Sequence, residues 1–169
     1  MYKVKSTYRV LANKVLQQDS SEEWIDWALE MMMAGFNSEN LIILAGSNPH
    51  SNRFEFDDVV NRTLRELSLD KATQEEIVYA YVYYLICEAI DRNISTKKAL
   101  QQLRELCRKM EYDKDLFQFY LLSYAQDELE ELGVQFYWQD ANSSNIDSII
   151  YNEFQKWKDN YGSKNLKST

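Results

Sequence analysis

The segment from Ser20 to Gly46 constrains the fold of this chain most, because it contains start and stop signals for two short helices. Ser20 and Glu23 have the spacing of a capping box, in which the serine hydroxyl accepts from the N3 amide and the glutamate reaches back to the cap amide. Gly35 follows where a left-handed glycine ends a helix. Ser38 and Gly46 predict the start and the end of the second helix in the same way.

Turn-forming residues are scarce in the whole chain, which has one Pro and four Gly in 169 residues. That is too few for a sandwich or barrel of many short strands. The aromatic fraction of 14% suits a well-filled core, and the length suffices for one domain that buries about 70% of its unfolded surface. We expect an all-α, single-domain helical bundle or irregular array of seven to eight short antiparallel helices over 1–161, without significant sheet, followed by a frayed polar tail over 162–169.

Apolar spacing and capping residues together predict eight helical segments. They cover approximately 2–18, 20–35, 38–46, 54–67, 73–90, 95–110, 113–133 and 145–161. In the seventh segment the residues expected to face inward are Leu116, Phe117, Tyr120, Leu121, Tyr124 and Leu129. The run 134–138 alternates like a strand but has no obvious partner, so we expect an extended linker that packs against the core.

The distribution of charge argues against a nucleic-acid partner. The net charge is −8, and the first 18 residues hold four basic groups and no acid, so the remaining residues carry −12. A phosphate backbone requires the opposite sign. The longest apolar run, 77–87, is shorter than the roughly 20 residues of a membrane span, and the N-terminus has no apolar secretory segment. We therefore expect a cytoplasmic location and no membrane partner.

The residues that usually carry chemistry are few. His50 is the one histidine, so a multi-histidine metal site cannot form, and the four glycines are too far apart for a phosphate-binding glycine loop. Cys87 and Cys107 have no CxxC spacing and are interpreted as buried free thiols. We expect no metal, no cofactor and no enzymatic activity.

Two surfaces are candidates for binding a partner. Acidic residues near helix N-termini are explained by the helix dipole, but the dipole opposes the acidic cluster at the end of the seventh helix. Tyrosine and tryptophan dominate interface hot spots, so the aromatic residues after Gly133 are candidates as well, although core packing would also explain them. The candidate residues are Asp127, Glu128, Glu130, Glu131, Phe136, Tyr137 and Trp138. Met31, Met32 and Met33 cannot all face one core, so at least one is expected to be exposed.

The pattern W-A-x-E-M-x-x-x-G-x-x-S-x-x-L-x-I-L-A-G resembles small bacterial helical proteins of uncharacterised function. The matching residues are Trp27, Ala28, Glu30, Met31, Gly35, Ser38, Leu41, Ile43, Leu44, Ala45 and Gly46. The resemblance implies a bacterial source and, more loosely, a role in toxin immunity. Because the matching positions are interpreted as caps and core residues, it identifies no site residue.

The sequence favours a non-enzymatic protein-binding module, of the immunity type that masks a basic toxin with an acidic surface. One alternative is a structural or oligomeric adaptor, which an exposed apolar patch would indicate. Another is an enzyme that uses carboxylates or tyrosine hydroxyls in a pocket among the helices. Buried, convergent carboxylates with shifted pKa values in a deep cleft would indicate that alternative.

Overall fold

The computed structural model describes residues 2–50 and 52–165, with side chains through Tyr161. Those ranges contain eight helices and no strand, which confirms the predicted all-α class. The helices are α1 (Ser6–Val15), α2 (Ser21–Met33), α3 (Glu39–Ala45), α4 (Arg53–Glu66), α5 (Gln74–Ile90), α6 (Thr96–Lys109), α7 (Phe117–Leu132) and α8 (Ile146–Asn165). In the described ranges, no helix has both the length and the apolarity needed to cross a membrane.

The packing divides the chain into two compact units, an N-terminal unit (Met1–Tyr81) and a C-terminal unit (Val82–Thr169), and the division falls inside α5. A single domain over 1–161 stays a prediction. Helix α8 continues to Asn165, so the segment expected to be a frayed tail from Gly162 begins as helix. The rest of that segment, 166–169, lies outside the described residues.

The core of the N-terminal unit forms where α2 packs against α1 and α3, and where α3 packs against α4. Trp24 and Trp27 of α2 are fully buried, and their rings meet edge to face at 5.3 Å. A buried indole needs a partner for its N–H group. Trp24 donates to Asp19 at 2.7 Å and Trp27 donates to the Thr7 hydroxyl at 2.9 Å, so both tryptophans are held in place by hydrogen bonds as well as by packing.

Helix α2 begins and ends at the predicted residues. The Ser20 hydroxyl accepts from the Glu23 N–H at 3.2 Å, as expected, but the Glu23 carboxylate accepts from Asn13 at 3.0 Å and so joins α2 to α1. Gly35 has a φ of +92°. Its N–H donates to the Met32 carbonyl, and the Phe36 N–H donates to the Met31 carbonyl, both in the last turn of α2. This is the Schellman arrangement that the glycine predicts.

Both ends of α3 differ from the prediction. Gly46 has a φ of −91° and is not left-handed, because the Ser47 hydroxyl caps a carbonyl of the last turn at 2.8 Å and no Schellman turn is needed. Ser38 stands at the start, but its side chain makes no cap hydrogen bond. The Glu66 carboxylate, at the end of α4, accepts from the Asn40 N–H at 3.1 Å instead. A neighbouring helix therefore caps α3.

The predicted starts of the fifth and sixth segments and the predicted end of the seventh are confirmed. At the start of α5, the Thr73 N–H donates to the Glu76 carboxylate at 2.7 Å and the Glu76 N–H donates to Thr73 Oγ1 at 3.2 Å, a complete capping box. Ser95 caps α6, and Gly133, with a φ of +75°, ends α7. The seventh segment was predicted to begin at 113, but the Asp113 carboxylate caps a turn over 114–116, and α7 begins only after that turn.

Candidate protein-binding surface

Helix α7 of the C-terminal unit has two faces of different chemistry. Phe119, Leu122 and Leu129 are buried, and Phe119 packs on Phe154 of α8 with ring centroids 5.4 Å apart. A second face follows the three- and four-residue spacing that places side chains on one side of a helix. Its residues are Phe117, Tyr120, Tyr124, Glu128 and Glu131.

The prediction that Phe117 faces inward is therefore wrong, since it is exposed, and Tyr120 and Tyr124 are only half-buried. The helix turns the side that carries Phe119, Leu122 and Leu129 to the core instead. Ser123 and Gln126 also lie on the buried face. Because both side chains are polar, the sequence did not indicate that this face is buried. The available sign in the sequence was that this helix carries two apolar stripes instead of one.

Five rings form a continuous series of contacts, which we call the aromatic row. Its members are Tyr112, Phe117, Tyr120, Tyr124 and Tyr137, and all of them retain access to solvent. The ring centroids are 5.5 Å apart for Tyr112 and Tyr120, 5.6 Å for Phe117 and Tyr120, 5.0 Å for Tyr120 and Tyr124, and 5.4 Å for Tyr124 and Tyr137. These distances are typical of favourable aromatic pairs. Hydrogen bonding with Tyr124 raises the pKa of Tyr120.

The first ring of the row is held by an unusual backbone. Glu111 and Tyr112 are consecutive left-handed residues, with φ values of 53° and 61°, and the Tyr112 N–H bonds to the Cys107 carbonyl at 2.8 Å. A left-handed conformation costs a non-glycine residue roughly 1–2 kcal/mol. The turn brings the Tyr112 ring against Phe117 and Tyr120, with the Phe117 centroid 6.5 Å away.

The acidic residues of α7 fall into two groups. Asp127 lies 2.8 Å from Arg104 and 3.9 Å from Lys97, while Glu130 pairs with Lys97 and raises the pKa of that amine by accepting its hydrogen bond. These two carboxylates are compensated by α6. No salt bridge within the described residues reaches the other two predicted acids, Glu128 and Glu131. Glu131 acts on Lys97 only through the attraction of the two charges, so the carboxylates of Glu128 and Glu131 stay outside these salt bridges.

The charge around the aromatic row is strongly negative. The segment 111–140 contains eight acidic residues and one basic residue, a net charge of −7, whereas α6 contains five basic residues and one acidic residue. The two neighbouring segments thus have opposite net charges, and the ion pairs between α6 and α7 neutralise part of them. The sign on the α7 side favours a basic partner.

Arg104 connects the two parts of the surface. Its guanidinium lies over the Tyr124 ring, 4.9 Å from the centroid, while Nη1 donates to Asp127. One cation thus contacts an aromatic face and a carboxylate at the same time, a combination that a planar guanidinium makes easily. This contact was not predictable from the sequence, because it joins residues twenty positions apart.

The linker after Gly133 contains no strand. It was expected to pack against the core, but its side chains are largely exposed. Phe136 is 93% exposed, Trp138 is half-buried, and Tyr137 joins the aromatic row. The side chain of Gln135 organises the turn, since its amide donates to the carbonyls of Trp138 (2.7 Å) and Ala141 (2.9 Å) and its oxygen accepts two backbone N–H groups. The backbone is satisfied locally, so the aromatic side chains need not be buried.

The predicted candidate residues are thus brought together only in part. Tyr137 meets Tyr124, which lies one helical turn before Glu128 on the same face of α7. Phe136 points into solvent, and Asp127 and Glu130 are occupied by α6. The sequence did not identify Tyr112, Tyr120, Tyr124 and Arg104 as members of this surface.

A groove also lies in the N-terminal unit. It has a volume of about 470 Å³ and lies between α1, α4 and the residues that lead into α5. Leu11 and Leu64 form part of its floor, and Lys14, Arg65 and Asp70 are charged residues along it. Asp70 is the one carboxylate among the described residues of its lining, and it is exposed. The convergent buried carboxylates that would indicate an enzyme are therefore not found in this groove.

The remaining candidates are dispersed. Among the residues that the structure describes, no three His, Cys, Asp or Glu side chains are grouped so as to hold a metal ion. His50 lies exposed in its loop, and its backbone N–H donates to Asn48 Oδ1 at 2.9 Å. Cys87 and Cys107 are free thiols, half-buried and buried, and burial raises the pKa of Cys107 to about 11. As expected for the methionine triplet, Met31 is buried and Met33 is 81% exposed.

The chain matches no protein-family model, no curated protein and no solved structure. The resemblance to small bacterial helical proteins remains an interpretation of the sequence.

Proposed function

We propose that this protein is a non-enzymatic binding module for a basic protein, and that the partner docks on the aromatic row and on the adjacent Glu128 and Glu131. The observation that carries the proposal is the aromatic row itself: five touching rings that remain open to solvent within a segment of net charge −7. Clustered tyrosines are the residues from which hot spots are most often built. The negative charge would steer a basic partner to them.

The partner class we propose is a basic toxin, which would make the protein a bacterial immunity protein acting in the cytoplasm. Two arguments support this class. The sequence pattern around Trp27 and Gly35 resembles small bacterial helical proteins, and an acidic surface is suited to cover the basic site of a toxin. The proposal assigns no catalytic step to the chain.

Affinity capture with variants of the surface tests the proposal. The immobilised protein, a Tyr120→Ala/Tyr137→Ala variant and a Glu128→Lys/Glu131→Lys variant are incubated with lysate of the source cells, and the retained proteins are identified by mass spectrometry. We expect a basic protein whose recovery falls about tenfold or more with either variant. Phe54→Ala is the matched control, because Phe54 is exposed in the N-terminal unit, outside the surface. Retention of no basic protein, or equal retention by all variants, would overturn the proposal.

Toxicity of the captured partner tests the immunity role separately. Expression of the partner alone should arrest growth, co-expression of this protein should restore it, and co-expression of Tyr120→Ala/Tyr137→Ala should not. A captured partner that leaves growth unchanged would contradict the immunity role while leaving the binding module intact.

An exposed apolar face on α2 favours an oligomeric adaptor as the second candidate function. Leu29, Met32 and Met33 share one face by their spacing and all three are exposed. Light scattering on the protein and on a Leu29→Lys/Met33→Lys variant tests this candidate. An oligomer that the variant converts to a monomer would support it, and a wild-type monomer at high concentration would exclude self-association through this face.

A further inference from the structure

We infer that the partner's basic groups are arginines, whose guanidinium groups stack on the tyrosines of the aromatic row while their edges bind Glu128 and Glu131. This inference rests on the proposed function and adds the chemistry by which the partner is recognised. It starts from a contact in which a cation is already bound beside the aromatic row, that of Arg104 with Tyr124 and Asp127.

The Arg104 contact shows how this surface accommodates a guanidinium. The group lies 4.9 Å from the centroid of the Tyr124 ring, and Nη1 is 2.8 Å from Asp127 Oδ2. Asp127 follows Tyr124 by three residues, so the spacing of α7 sets the ring and the carboxylate side by side. A ring and an acid at this helical spacing form a receptor for one guanidinium.

Two further carboxylates lie on the same face of α7, and no salt bridge of the described residues joins either of them to α6. Glu128 follows Tyr124 by four residues and Glu131 by seven, which keeps both carboxylates on the face of the aromatic row. Tyr137 contacts Tyr124 from the linker and adds a further ring beside them. From Phe117 to Glu131 the face extends for about 21 Å at 1.5 Å per residue, enough for several side chains of a partner.

Arginine fits this arrangement better than lysine. A guanidinium is flat and weakly hydrated, so it can lie on a ring and still present N–H donors at its edge to a carboxylate. An ammonium is a compact, strongly hydrated charge. Lys97 accordingly pairs with the carboxylates of Asp127 and Glu130, whereas it is Arg104 that covers a ring.

A comparison of two peptides tests the inference without knowledge of the partner. An oligo-arginine and an oligo-lysine peptide of equal length are titrated into the protein at low salt, with affinity from calorimetry and contacts from NMR signals of the tyrosine rings. We expect the arginine peptide to bind about five-fold more tightly and to shift the rings of Tyr120 and Tyr137. In a Tyr120→Leu/Tyr137→Leu variant, the difference between the two peptides should disappear while weaker, salt-sensitive binding remains.

Equal affinity for the two peptides in the wild-type protein would overturn the arginine inference and leave the proposed docking surface standing. Failure of both peptides to bind, or shifts confined to residues outside the surface, would overturn the inference and count against the docking surface as well. Circular dichroism of the leucine variant controls for folding. A variant with retained helix content and a retained preference for arginine would also overturn the inference.

Discussion

At the scale of single residues, Gly133 and Gly46 follow helix ends in the same way but differ in backbone conformation. The φ value is +75° at Gly133 and −91° at Gly46, and a Cβ at Gly46 would make ordinary contacts of 3.6 Å or more. We expect Gly133→Ala to lower the free energy of unfolding by about 1 kcal/mol, because alanine is strained in the left-handed region. Gly46→Ala should leave stability unchanged or raise it slightly.

Urea denaturation of the two alanine variants measures this difference directly. If both variants change the free energy of unfolding equally, the left-handed turn after α7 does not hold the start of the linker in place. The linker carries Tyr137, so the same turn bears on the candidate surface. The Gly133→Ala variant should also weaken partner binding, whereas Gly46→Ala should not.

At the scale of elements, α3 depends on α4 for its cap. The nearby Ser38 hydroxyl and the hydrogen bonds from Asn40 lower the pKa of Glu66 below its ordinary value of 4.5. A lowered pKa in the folded state means that this carboxylate contributes stability above the ordinary value, and that the contribution is lost as the pH falls through the folded-state pKa. We therefore expect stability to fall as the pH drops below about 4.5, in part because the Glu66 cap is lost.

A Glu66→Gln variant isolates that contribution. It should be less stable than wild type at neutral pH and should lose less stability on acidification, as measured by urea denaturation at pH 7 and at about pH 3.5. Glu75→Gln is the matched control, because it removes an exposed charge in the first turn of α5 without touching Asn40. If both variants show the same pH dependence, the cap does not depend on the charge of Glu66.

The contact between α6 and α7 gives a second prediction at this scale. Arg104 and Asp127 are both largely buried, with 19% and 27% of their side chains exposed, and Arg104 also covers Tyr124. A double-mutant cycle with Arg104→Ala and Asp127→Ala should give a coupling energy of about 1 kcal/mol in the free energy of unfolding. Lys156 with Glu153 on α8 is the control pair, since Lys156 is mostly exposed and its coupling should be smaller. Additive effects of the two substitutions would contradict the role given to Arg104.

The elements also show which features the sequence could predict. Ser20, Thr73, Ser95 and Gly133 act through hydrogen bonds to neighbours in the chain, so their spacing was enough to place helix ends. The cap of α3 by Glu66 was not predictable, because it crosses from another helix. The aromatic row was missed for a related reason: tyrosines at helical spacing suit a core as well as a surface, and only packing decides between them.

At the scale of the whole molecule, the net charge of −8 is unevenly placed along the chain. The N-terminal unit carries −5 and the C-terminal unit carries −3, yet the segment 111–140 alone carries −7. Part of this charge is used by Lys97 and Arg104, and Glu128 and Glu131 remain beside the aromatic row. We therefore expect charge to set the rate of partner association and the rings to set the lifetime of the complex.

The central claim is that one surface of α7 and its linker binds a basic protein, and the salt dependence of affinity tests it most directly. Kd for the captured partner is measured at low and high salt for wild type, Tyr120→Ala/Tyr137→Ala, Glu128→Gln/Glu131→Gln and Phe54→Ala. We predict that the tyrosine variant raises Kd about tenfold or more at both salt concentrations, that the glutamine variant reduces the salt dependence, and that Phe54→Ala has no effect. Unchanged affinity and unchanged salt dependence in the first two variants would contradict the claim.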